Sequence, residues 1–251
     1  MKILSANILH SQLAPKHPWA QRSEICCQLL VETHPDVILL QECATDQYQT
    51  ILSTLGPSYI PVHDHTGENT PLNSIFVNQS SMHVAHTYYL SLANCSNTTQ
   101  KPNRLRRYLN GVQIQCQQTN KNLYCFNTHL TYGDAPLAMQ QIQAVTNYID
   151  QHTPQNACTI LGGDFNHEYD SSILQHCRSL GFEDTYSLYH QQPYSGPTFH
   201  MFQSDFKRHT QIDWLLIKNH TNIITNAGII NHIPAESYGS DHFFITAELV
   251  L

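Results

Sequence analysis

Charge is scarce in this 251-residue chain, at 12% of all residues, and positive charge is scarcer still. Lysine and arginine number 12 against 19 aspartates and glutamates, for a formal net charge of −7. A protein that grips long duplex nucleic acid by neutralising its phosphates needs a basic face, and this deficit argues against one. The low charge does not imply disorder, because 41% of the residues are hydrophobic and can build a core. No CxxC spacing occurs among the eight cysteines, which removes the usual zinc and dithiol motifs. Cys125 and Cys158 lie inside apolar runs, so small buried hydrophobes in a reducing compartment are expected. No apolar stretch reaches the length of a membrane span. Met1-Lys2 leads straight into an apolar run rather than a leader, which gives the expectation of a cytoplasmic or otherwise intracellular protein; signal-independent secretion stays open.

Neither a repeat nor a long linker is visible, so residues 1–251 are expected to form one domain, and a monomer. Strands are expected over 2–9, 37–42, 73–78, 82–90, 107–116, 122–129, 157–163, 211–218, 222–230 and 243–250, and helices over 19–33, 44–55, 136–151 and 169–180. The first helix stops before Pro35, and the third starts around Pro136. The stretches 94–103 and 190–197 read as loops. Several consecutive strands lack an intervening helix. That pattern excludes a simple βαβ barrel and fits two packed sheets with helices outside.

The polar punctuation of the apolar runs carries the chemistry. The first run contains Asn7, and the second ends in Gln41-Glu42. Another closes with Asn127-Thr128-His129, and the next with Gly163-Asp164-Phe165-Asn166. Asp213 opens a further run, and Ser240-Asp241-His242 precedes the last. Each has a plain explanation as a cap, a turn or a satisfied core histidine. Together they fit one cleft at the rim of packed sheets. Glu42 and Asp241 are hard oxygen donors suited to Mg²⁺ or Mn²⁺. Asp164 can orient or deprotonate a water. Asn7 and Asn166 can hydrogen-bond a phosphate oxygen without adding charge, His129 and His242 can donate protons, and Asp213 can hold His242 in one tautomer.

These segments, in this order, resemble the endonuclease/exonuclease/phosphatase superfamily of metal-dependent phosphoesterases with a DNase-like fold. The matching stretches are Ser5-Ala6-Asn7-Ile8, Pro35 to Glu42, Asn127-Thr128-His129-Leu130, Gly162 to Asn166, Thr198-Phe199, Ile212 to Leu215 and Ser240 to Phe243. The resemblance implies an α/β fold, a four-layer α/β/β/α sandwich of two packed mixed β-sheets flanked by helices. It also implies a divalent metal at Glu42 and catalytic roles for Asn7, His129, Asp164, Asn166, Asp213, Asp241 and His242. Trp19 and Arg22 match a tryptophan and an arginine found early in the first helix of many members, and Arg22 is either a site residue or a packing residue.

Fold does not choose the substrate. Gln211-Ile212-Asp213-Trp214 stands where inositol polyphosphate phosphatases usually show Cys-Asp-Arg, and Asn127-Thr128-His129-Leu130 where abasic-site endonucleases usually show a Tyr-Val-Pro-Asn-like segment. The expectation is a Mg²⁺-dependent (or Mn²⁺-dependent) phosphodiester hydrolase, nuclease-like or phosphodiesterase-like. The alternatives are a phosphatase or sphingomyelinase-type hydrolase of a lipid or small-molecule phosphoester, and a catalytically silent binding module. Lys101, Arg104, Arg106 and Arg107 form the one basic cluster, either a solvated loop or an anion-recognition edge. With Tyr88, Tyr89, Tyr108 and Tyr132 they are the candidates for gripping a single strand.

Overall fold

Alternate residues of the central strands belong to different cores, and this alternation builds the layers. In β1 (Lys2–Asn7), Ile3 packs between the sheets while Leu4 and Ala6 face the outer helices. In β2 (Val37–Gln41), Val37 and Leu39 point inward and Ile38 and Leu40 outward. The second sheet does the same: β7 (Asn122–His129) sends Leu123 and Cys125 inward and Tyr124 and Phe126 outward. In β10 (Asp213–Lys218), Leu215 and Ile217 are inward and Trp214 and Leu216 outward. A strand buried on both faces must be apolar at both parities, which is why these runs read as continuous rather than alternating.

The protein is described by a computed structural model covering residues 1–62, 72–95, 106–203, 210–220, 224–231 and 238–251. The remaining strands are β3 (Tyr59–Val62), β4 (Ile75–Asn78), β5 (Met82–Ser91), β6 (Tyr108–Cys116), β8 (Thr159–Asp164), β9 (Glu183–Asp184), β11 (Ile224–Ile230) and β12 (Phe244–Leu249). One six-stranded sheet has the order β11-β12-β1-β2-β4-β3 and the other β5-β6-β7-β8-β10-β9. Each contains one parallel pair joined by a crossover helix. α1 (Trp19–Glu32) links β1 to β2, and α3 (Ala135–His152) links β7 to β8. With α2 (Thr45–Leu55) beside α1 and α4 (Ser172–Ser179) beside α3, the architecture is the expected four-layer sandwich.

Helix ends follow local chemistry. Asp134 caps α3 by accepting the Leu137 amide at 3.1 Å, and Ser171 caps α4 through the Leu174 amide at 3.4 Å. Because Ser171 is the cap, α4 starts at Ser172, later than 169–180 implied. Three elements escaped the sequence reading. β3 contains Pro61, tolerated because β3 is the outermost strand of its sheet. β9 is two residues long. α5 (Thr185–His190) is six residues long, and Asp184, which caps it through the Tyr186 and Ser187 amides, was its only signal. Residues 96–105, most of the expected loop over 94–103, lie outside the described residues. All eight cysteines are free, and each is buried or half-buried.

The two sheets meet closely at β8. A Cβ on Gly162 would lie 2.7 Å from side-chain atoms of both Leu39 and Leu215. At Gly163, φ is +137° and a Cβ would lie 1.8 Å from the Thr128 carbonyl oxygen. Gly163→Ala is therefore expected to destabilise the protein by at least about 2 kcal/mol in urea unfolding. Gly228→Ala, where the nearest atom would be 3.6 Å away, should stay within about 1 kcal/mol of wild type.

Candidate active site

The inward parity that fills the core turns polar at one end of the sandwich. Continuing two residues at a time, Ile3 and Ser5 lead to Asn7, Leu39 leads to Gln41, Cys125 leads to Asn127 and His129, and Ile160 leads past Gly162 to Asp164. β1, β2, β7 and β8 all end here, while β10 begins here with Asp213. Register completes the arrangement: His129 pairs with Asp164, and Asp164 with Asp213, across three neighbouring strands. Asn7 pairs with Gln41 in the opposing sheet. The Gln41 amide donates to Asn127 Oδ1 at 2.8 Å, and the Asn127 amide donates to the Leu40 carbonyl at 2.7 Å, tying the sheets together behind the site.

A cleft of 840 Å³ opens at this end, and Glu42, His129, Asp164, Asn166, Asp241 and His242 line it. Asn7 and Asp213 stand behind them: the Asn7 amide donates to Asp164 Oδ2 at 3.0 Å, and Asp213 Oδ2 lies 2.8 Å from His242 Nδ1. The Thr198 hydroxyl accepts the Ile212 and Asp213 amides at 3.0 and 3.1 Å, which fixes where β10 starts. Ser240 donates its hydroxyl to the Asn7 carbonyl at 2.7 Å and so anchors the Asp241-His242 segment to β1. Glu42 (φ 57°) and Asn166 (φ 55°) both adopt the left-handed conformation at strand ends. The Glu42 carboxylate accepts the His10 amide at 3.1 Å.

The two histidines are held in opposite states. Burial opposes the charging of His242, but Asp213, followed by Asp241 and Asp164, overrides it and raises its pKa to about 10. His129 is lowered well below its ordinary value by burial, then by Arg107 and His242. Arg107 Nη1 lies 2.9 Å from His129 Nδ1. A guanidinium can only donate, so Nδ1 accepts and the ring proton is on Nε2. That Nε2 lies 3.4 Å from Asp164 Oδ2. Asn166 Nδ2 is 3.0 Å from the same Nε2 and 3.1 Å from the Leu130 carbonyl, and it donates to the carbonyl. Asp164 is raised to about 7 by burial and by Asp213, against the opposing pull of His242, Asn7 and Asn166.

Asp164, Asp213 and His242 bring ligand-type atoms within 4.8 Å of one another, a spacing that would also suit a metal. Within it, His242 Nδ1 is hydrogen-bonded to Asp213 Oδ2 at 2.8 Å. Glu42 and Asp241 fit a hard cation better. Both line the cleft, both are only half-buried, and burial and the Glu42 charge together raise the Asp241 carboxyl.

Of the basic residues, Arg22 takes the packing role, one of its two readings from the sequence. It is 3% exposed, and its guanidinium donates to the carbonyls of Ile8, Leu9, His17 and Gly239. Arg106 is exposed and is not among the cleft residues, whereas its neighbour Arg107 is. Arg104 lies outside the described residues. Tyr132 borders the cleft and is 74% exposed. Alternation along β6 could not separate Arg106 from Arg107, because both precede its first residue, Tyr108.

A sequence profile of the Endonuclease/Exonuclease/phosphatase family matches residues 4–242. The chain belongs to that family. Family members are generally hydrolases acting on phosphoesters, and the ordered strand-end groups are what the match spans. Among solved structures, an endonuclease/exonuclease/phosphatase from Bacteroides vulgatus is 18% identical with a TM-score of 0.83, covering 100% of this chain and 98% of its own. The mannosyl-6-phosphatase of Bacteroides thetaiotaomicron is 21% identical, with a TM-score of 0.82 and full coverage of both chains. D. rerio TDP2, solved with a single-strand DNA product, is 19% identical with a TM-score of 0.79 and coverage of 100% and 99%. These likenesses establish the fold. No curated protein matches the sequence.

Two measurements test the electrostatics. His242 has a folded pKa above its unfolded value, so its stabilisation is present below about pH 6.5 and is lost as pH rises toward about 10. Asp164 acts with the same sign, its contribution being lost as pH rises from about 3.8 through about 7. The Tm of metal-free protein should therefore fall between pH 6.5 and 9.5 through His242, and His242→Gln should flatten that slope. Separately, ¹⁵N-correlated NMR should show the Nε2–H tautomer of His129 in wild type and a mixture of tautomers in Arg107→Met.

Proposed function

We propose that this protein is a divalent-cation-dependent hydrolase of phosphoesters, acting on a phosphodiester by in-line attack of water. The observation that carries the proposal is the environment of one atom. Asp164 Oδ2 is met by Asn7 at 3.0 Å, by His129 Nε2 at 3.4 Å and by His242 Nε2 at 3.9 Å, at the floor of a cleft whose described lining holds four carboxylates and one arginine.

Asp164 is the group that aligns the attacking water and takes its proton. A buried carboxylate whose pKa is raised to about 7 is matched to that task near neutral pH. Asn7 fixes its orientation from one side, and the Asn166 amide N–H does so at 2.8 Å from the other. His242, kept protonated by Asp213, stabilises the negative charge that develops on a phosphate oxygen. His129 holds a second oxygen through Nε2–H, with Arg107 behind it. A Mg²⁺ or Mn²⁺ ion held by Glu42 and Asp241 would supply charge neutralisation at the phosphate. The reading as a silent binding module lacks support, because Glu42, Asp164 and His242 are all present and all line the cleft.

The test is hydrolysis of a generic phosphodiester, bis(p-nitrophenyl) phosphate, across a panel of metals. Turnover should require Mg²⁺ or Mn²⁺ and vanish with chelator. Asp164→Ala and His242→Ala should each lower kcat by about 10²–10⁴-fold without a change in circular dichroism. Full activity in either variant would refute the assigned roles.

A further inference from the structure

We propose that the cleft is built for a phosphoester bearing one phosphate group and one neutral, flat-faced ring, seated against Tyr132 and Met201, and that it selects against strands carrying several phosphates. This rests on the phosphoester-hydrolase reading above and narrows its substrate.

Charge is the first argument. Among the described residues lining the cleft, Arg107 is the only lysine or arginine. Glu42, Asp164, Glu168 and Asp241 all line it. One phosphate can be met by Arg107, the histidines and a bound cation. Among the described residues, a second phosphate along a strand would face carboxylates, and Glu168, which is exposed, stands outside the proposed chemistry. Strand-binding grooves have the opposite character, a run of positive charge that tracks the backbone.

Size and lining are the second argument. At 840 Å³ the cleft is far larger than one phosphate and lies in the range that holds a small organic molecule. Tyr132 is 74% exposed and Met201 58%, among the most exposed large apolar side chains described, and both border this cleft. Phe199 and Ile212 add to its apolar lining. An exposed aromatic ring and a polarizable thioether suit the face of a nucleobase or of a sugar.

Backbone strain is the third. Met201 and Phe202 are consecutive non-glycine residues in the left-handed region, with φ of 55° and 58°. Two such residues in succession persist only where their surroundings over-determine them. Here the amides of His200 and Met201 donate to the Asp241 carbonyl at 2.9 and 3.2 Å, and the Phe202 amide donates to His200 Nδ1 at 3.2 Å. The Phe202 ring stacks on His17 with centroids 3.8 Å apart. The corner is thus fastened to the Asp241 segment, and what it presents to the cleft is the Met201 side chain.

The experiment compares kcat/KM with Mg²⁺ for the methyl phosphodiesters of a nucleoside, a hexose and glycerol, and for a trinucleotide. At least one of the two ring-bearing methyl diesters should exceed both the glycerol diester and the trinucleotide by about tenfold or more, and which one does so distinguishes a base from a sugar. Tyr132→Ala and Met201→Ala should raise KM for that substrate about tenfold, leave kcat within about twofold, and leave the glycerol diester unaffected. Glu168→Lys should improve the trinucleotide selectively. Binding of the same four compounds to Asp164→Ala, measured calorimetrically with Mg²⁺, separates the two readings. Ring-selective binding without wild-type turnover overturns the hydrolase assignment and keeps this one. A trinucleotide preferred with steep salt dependence, or ring substrates indifferent to Tyr132→Ala and Met201→Ala, overturns the present proposal.

Discussion

The functional end of this protein depends on burying more carboxylate than it can neutralise. Asp164 and Asp213 are both 2% exposed, and the Asp213 charge adds to burial in raising the cost of ionising Asp164. One imidazolium, His242, is shared between them. A hydrophobic interior would reject such a cluster unless every charge found a partner. The partners supplied are unequal: Asp213 has His242, while Asp164 has amides and a neutral histidine, so the deficit falls on Asp164. A group poised in this way gains most when positive charge is placed beside it.

The same logic explains two histidines with opposite duties. They differ little in burial but greatly in neighbours. His242 faces three carboxylates and stays charged, and His129 backs onto a guanidinium and stays neutral. Pairs of titratable groups driven apart by their surroundings mark acid–base sites in general. Arg107 therefore acts on the site without being a general acid or base, by deciding which nitrogen of His129 carries the proton.

Rigid layers make this geometry affordable. Asn7, His129, Asp164 and Asp213 are strand residues locked by register, and only the rim uses irregular backbone. Left-handed conformations collect there, at Leu9, Glu42, Asn166, Met201 and Phe202. Strain of this kind is stable only when flanking structure holds it, and here Arg22 provides part of the hold, gathering the carbonyls of Ile8, Leu9, His17 and Gly239. A residue that resembled a substrate contact is thus a buried clamp beneath the rim.

The chain itself determined the layers and the chemistry of the strand ends. Runs apolar at both parities, closed by Asn7, Glu42, His129, Asp164 and Asn166, already specified two covered sheets with polar tips, because strand burial and strand termination are local properties. Short or edge elements were not legible: β3 carries a proline that only an edge position tolerates, and β9 is too short to show a period. Tertiary structure alone decided which of Arg22, Arg106 and Arg107 reaches the cleft, since that depends on where loops enter the sheets. It alone decided the protonation of His129 and His242, because pKa values follow three-dimensional neighbours and burial rather than sequence position. It also decided that Tyr132 and Met201, 69 positions apart in the numbering, border one cleft.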